Sequence, residues 1–143
     1  MYEDWKIERW ETPVSHECLL SIMSLTDDGE KLTIVVGGLP NKHIRFVFTD
    51  YPAYRNIQEL YRTELWNKLY QKNLGSTLIV SESEWVESFR QSKELLDVYH
   101  PNAVHYMICT DDGCVEVLSN EPPEISEIGI DPAEGAYDET PDV

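Results

Sequence analysis

The chain has 143 residues, 41% of them apolar, and carries 27 acidic against 11 basic side chains for a net charge of −16. That is enough length and apolar content for one domain with a real core, and a surface of this sign repels nucleic-acid phosphates and anionic lipid heads. No apolar run approaches the roughly 20 residues a membrane helix needs, and Met1-Tyr2-Glu3-Asp4 lacks the basic-then-apolar plan of a signal peptide. The expected compartment is therefore the cytoplasm, with neither nucleic acid nor membrane as a partner.

In chain order, strands are predicted at Trp5 to Thr12, Cys18 to Leu25, Leu32 to Val36 and His43 to Thr49, where Ile44, Phe46 and Phe48 fall on one face of a period-two pattern. Thr26-Asp27-Asp28-Gly29 carries the Asp-Gly signature of a tight hairpin, and Gly37 to Asn41 is loop composition, so these strands read as an antiparallel meander. A helix is predicted over Pro52 to Lys72, with Pro in the opening turn and a stripe of Tyr54, Ile57, Tyr61, Leu65 and Leu69. On that reading Tyr54, Arg55, Glu59 and Arg62 form its solvated first turns. Ser76 to Val80 reads as a short strand. A second helix begins near Ser81, where Ser81 and Glu84 have capping-box spacing; it carries Trp85, Phe89, Leu95 and Leu96 and stops before Pro101. Val104 to Cys109 and Cys114 to Leu118 then flank a second Thr-Asp-Asp-Gly turn. The predicted fold class is α+β: a mainly antiparallel sheet of about six to seven strands, a meander plus a C-terminal hairpin, covered by two helices.

The chemistry legible in the chain is sparse. There is no Gly-x-Ser-x-Gly elbow, no catalytic cysteine context and no glycine-rich phosphate loop before a helix. Three cysteines and four histidines show neither Cys-x-x-Cys nor His-x-x-x-His spacing, which predicts reduced thiols and no metal or cofactor. Cys109 and Cys114 flank their turn in a register not expected to set them directly opposite each other. The pairs Asp27 with Asp28 and Asp111 with Asp112 sit in hairpin turns, where Asp serves local backbone hydrogen bonding. No enzyme active site is expected.

Acidity and aromatics carry the functional signal. Eight carboxylates and no basic group lie between Glu121 and Val143, leaving 19 acidic and 11 basic groups, net −8, in residues 1–120. After Leu118 the composition turns to Pro, Gly and acids that bury little, so the domain is predicted to span residues 1–128 and an acidic mobile tail 129–143. The candidate partner-binding residues are Trp5, Trp10, Glu121, Glu124, Glu127 and Asp131. Trp and Tyr, of which there are four and eight, are the side chains enriched at binding hot spots, and the acids attract a basic protein surface. Trp5 and Trp10 cannot share one side of a regular strand.

Tyr54-Arg55, Ser83-Glu84-Trp85-Val86-Glu87-Ser88-Phe89-Arg90-Gln91-Ser92, His105-Tyr106-Met107-Ile108-Cys109-Thr110, Glu116-Val117-Leu118-Ser119 and Pro122-Pro123 together resemble small acidic bacterial proteins. In size, acidity and single α+β domain the chain is similar to immunity proteins of bacterial polymorphic toxin systems, over roughly residues 50 to 125. The resemblance implies a reaction-free inhibitor of a toxin domain and assigns no contact residue. The expected function is thus a non-catalytic cytosolic binding protein for a basic protein partner. The alternative is a small enzyme or metabolite-binding domain using a cup between sheet and helices, with His105, Glu116 and Tyr106 as its polar groups. By strand alternation His105 and Tyr106 point to opposite faces, so at most one of them lines such a cup.

Overall fold

A computed structural model describes residues 5–58, 63–91 and 95–130. Its strands are β1 (Lys6–Arg9), β2 (Ser21–Asp27), β3 (Leu32–Leu39), β4 (Lys42–Phe48), β5 (Ala53–Gln58), β6 (Thr77–Ser81), β7 (Val104–Thr110), β8 (Gly113–Ser119) and β9 (Glu124–Gly129). The helices are α1 (Thr63–Lys72), α2 (Glu84–Arg90) and α3 (Leu95–Tyr99). The class is α+β with antiparallel pairing throughout, but the strands form two sheets rather than one, in the orders β1-β6-β7-β8-β5 and β2-β3-β4-β9.

The two sheets pack face to face, because each supplies an apolar row at period two. Leu32, Ile34 and Val36 of β3 and Ile44, Phe46 and Phe48 of β4 meet Tyr106 and Ile108 of β7 and Val115 and Val117 of β8. The five-stranded sheet is buried on its other face as well. There Ile7, Leu78, Val80, Met107, Cys109 and Cys114 pack under Leu65 and Leu69 of α1, while Leu118 packs with Val86 of α2 and Leu96 of α3. A sheet covered on both faces explains why β7 and β8 are buried along almost their whole length.

Three expectations are corrected. Pro52 to Gln58 does not open a helix: Ala53–Gln58 is edge strand β5, paired with β8, and the described part of the helix starts at Thr63. Tyr54 and Arg55 therefore belong to a strand, while Glu59 and Arg62 lie outside the described residues. The helix after β6 is capped two residues later than its sequence spacing implies, by Ser83, whose side chain accepts the Val86 N–H. Cys109 and Cys114 do stand directly opposite each other, because the turn takes only Asp111 and Asp112 between the paired Thr110 and Gly113.

Acid-rich Glu124–Gly129, outside every predicted strand, is β9. It pairs with β4 and tucks Ile125 against the sandwich core. The Ile130 N–H donates to Asn41 O at 3.2 Å. The rest of the expected tail, residues 131–143, lies outside the described residues. Among those described, no helix is long and apolar enough to cross a membrane.

Candidate functional site

Three neighbouring strands bring ionisable side chains to the helix-covered face of the five-stranded sheet. Arg55 of β5 is directly opposite Glu116 of β8, so guanidinium and carboxylate meet as a two-pronged pair, Nε to Oε2 at 2.8 Å and Nη2 to Oε1 at 3.0 Å. On β7, Met107 is opposite Glu116, which makes His105 the diagonal neighbour on the same face. Its Nε2 lies 2.7 Å from Glu116 Oε1. Its Nδ1 lies 2.7 Å from the hydroxyl of Ser83 at the start of α2.

An assignment of the protons that gives each of these donors an acceptor runs along the chain in one direction. Ser83 Oγ accepts the Val86 N–H at 3.2 Å and donates its proton to Nδ1, while a neutral imidazole donates from Nε2 to the Glu116 carboxylate. Glu116 and His105 are 0% and 1% exposed, whereas the Arg55 side chain keeps 35% of its surface. Aromatic rings close the site. Trp5 and Trp85 stand edge-on to His105 at 5.6 and 5.1 Å, and the Arg55 guanidinium lies over the Trp85 ring at 4.1 Å. A buried carboxylate would carry a desolvation cost of several kcal/mol by itself; here the guanidinium and the imidazole N–H offset it.

Beside this network runs an open cleft of about 610 Å³, lined by Ser83 and His105 at its floor and by Glu82, Glu84, Glu87 and Arg90. Glu82 joins β6 to Ser83 with a positive φ of 51°, a conformation uncommon outside glycine and found at functional turns.

The residues singled out from sequence fall in different places. Trp5 and Trp10 are both half-buried and lie on opposite faces of the five-stranded sheet: Trp5 against His105, Trp10 against Phe46 and Tyr106 on the sandwich side at 5.7 and 4.8 Å. Glu121, Glu124 and Glu127 are exposed at or beside β9, and Glu127 pairs with Lys42 at 3.0 Å. Asp131 lies outside the described residues. His105 and Glu116 come together; Tyr106 packs on the opposite face, as alternation requires. Ser83 and Arg55 escaped sequence reading. Their signal was indirect, a His and a Glu placed inside otherwise apolar strands, where each demands a buried partner.

The β2–β3 turn uses its acids as expected. Asp27 accepts the Gly29 N–H, and Asp28 those of Glu30 and Lys31. Asp27 also takes the Tyr51 hydroxyl proton into a hydrogen bond. That bond and the Gly29 N–H hold the Asp27 carboxyl below its ordinary value. Desolvation, with the Asp27 bond and charge, pushes the Tyr51 phenol up to about 12. Asp112, in the matching turn, reaches across to the Ile22 N–H of β2 at 3.0 Å. Among the described residues no three His, Cys, Asp or Glu side chains converge as a metal site would need. No family model, curated protein or solved structure matches this sequence.

Proposed function

We propose that this chain is a non-catalytic binding protein, an immunity-type inhibitor that occludes a basic protein partner such as a toxin domain. The observation that carries this reading is how the charges are disposed. Exposed carboxylates project from both hairpin turns (Asp27, Asp28, Glu30, Asp111, Asp112), from the mouth of the cleft (Glu82, Glu84, Glu87) and along β9 (Glu121, Glu124, Glu127). Against them, Lys6, Arg9, Lys42, Arg55 and Arg90 each lie within 4.0 Å of a carboxylate of the same chain. A partner therefore meets a surface whose sign is set by the acids, and a positive substrate cleft is its complement. The internal pairing of Glu116, His105 and Ser83, with Glu116 fully buried, supplies the rigid scaffold that a binding protein needs.

The test is capture of the partner from the native cell at low salt, followed by kinetics with the purified pair. The association rate is expected to fall by about tenfold or more between low and high ionic strength; a rate indifferent to salt would overturn the reading.

A second reading, an enzyme or metabolite-binding domain using the cleft, is favoured by one observation: the hydrogen-bond polarity of Ser83, His105 and Glu116 is that of a nucleophile, base and orienting acid. Labelling of Ser83 by a fluorophosphonate, lost in Ser83→Ala and His105→Gln, would support it. An unlabelled native protein would remove it.

A further inference from the structure

The β7–β8 hairpin carries a feature that neither the buried polar network nor the acidic surface uses. Cys109 and Cys114 are cross-strand partners on the helix-covered face, in one apolar cluster with Met107, Leu65 and Leu69. Their pairing is of the closer kind. The Cys109 N–H donates to Ser76 O, on the β6 side, at 2.7 Å, so it points away from β8, and the bonded pair closing the hairpin is Thr110 with Gly113. At a non-hydrogen-bonded pair of an antiparallel ladder the Cα atoms lie about 4.5 Å apart, within the span of about 4.4 to 6.8 Å that a disulfide bridges. Both side chains are at most 1% exposed, so an oxidant reaches them by local opening of the native state beside the exposed Asp111 and Asp112.

We propose that Cys109 and Cys114 are a dithiol oxidation site that closes to a disulfide across β7 and β8, with a peroxide as the oxidant class. One thiolate attacks a peroxide oxygen, giving a sulfenic acid and, for hydrogen peroxide, one water. The second thiol then attacks the sulfenic sulfur, forming the S–S bond and releasing a second water. Two thiols lose two electrons and two protons, and the peroxide takes them up. The exposed Cys18 has no such neighbour in the ladder and gives intermolecular products instead.

The full-length Cys18→Ser protein, folded, is treated with hydrogen peroxide, denatured, alkylated and weighed. The expected product is about 2 Da lighter than the reduced chain and takes up no alkylating agent. Cleavage before Asp111 or Asp112 then leaves two fragments joined until dithiothreitol is added. Cys109→Ser in the same background should give no such species. Two alkylatable thiols, separate sulfinic or sulfonic acids, or closure only after unfolding in urea would each overturn the proposal. The melting temperature is expected to rise on oxidation and return on reduction; a fall would mean that the native register does not accept the bond.

Discussion

Glu116 is the residue on which the interior of the helix-covered face depends. It receives Arg55 and His105, and it is fully buried. Glu116→Gln keeps the shape but strands a half-buried guanidinium, so a loss of about 2–4 kcal/mol in unfolding free energy is expected, discounted for the exposed part of Arg55. Urea denaturation measures it. Tyr51, which precedes β5, and Asp27 report on each other. The phenol has its pKa raised in the folded state, so that contribution to stability is present below about 10 and is lost as pH rises through about 12. The carboxyl is shifted down; its contribution is present above the ordinary Asp range and is lost as pH falls through the depressed value. Tyr51→Phe should move the Asp27 midpoint back up, readable by carboxyl NMR, and should remove the most alkaline step from the tyrosinate absorbance titration.

At the scale of elements, the hairpins were legible because their signal is local. Thr-Asp-Asp-Gly fits a two-residue turn at Thr110 to Gly113, and the apolar runs on either side fit strands. β5 was not legible, because Tyr54, Ile57 and Tyr61 fall at helical spacing just after a Pro suited to a first turn, while the strand pattern, Ala53, Arg55 and Ile57 inward, contains an Arg whose partner lies 61 residues away. Part of the site was hidden with it: His105 and Glu116 stood out as polar groups on the last hairpin, but Arg55 read as the solvated face of a helix until β5 set it opposite Glu116. β9 was hidden by its acids, which suit an edge strand that must not pair with other chains. Gly113 shows how tightly these pairings are drawn. It adopts a φ of 146°, and a Cβ there would stand 2.1 Å from Ile57 O. Gly113→Ala should therefore push β5 off β8 at a cost of about 2 kcal/mol or more, with faster amide exchange along Ala53–Gln58.

For the whole molecule, a net charge of −16 on 143 residues is a destabilising self-repulsion as well as a recognition surface. Moderate sodium chloride should raise the melting temperature of the isolated protein while slowing its association with a basic partner. Calorimetry and stopped-flow mixing separate the two effects, and a melting temperature that falls with salt would mean that the internal ion pairs outweigh the repulsion.

The crossing of the chain between its two sheets bears on how it is made. Glu8 meets Ser81 73 residues later, Arg55 meets Glu116 61 residues later, and Lys42 meets Glu127 85 residues later. β1, β5 and part of β4 thus wait, with open edges, for partners that a ribosome has yet to synthesise. Neither sheet is complete until β8 and β9 have emerged. Loop closures of this length slow folding, and the waiting strands, which carry Lys6, Arg9, Lys42, Arg45 and Arg55 against the one acid Glu8, hold cations of which Arg55 and Lys42 meet their carboxylates only when β8 and β9 arrive.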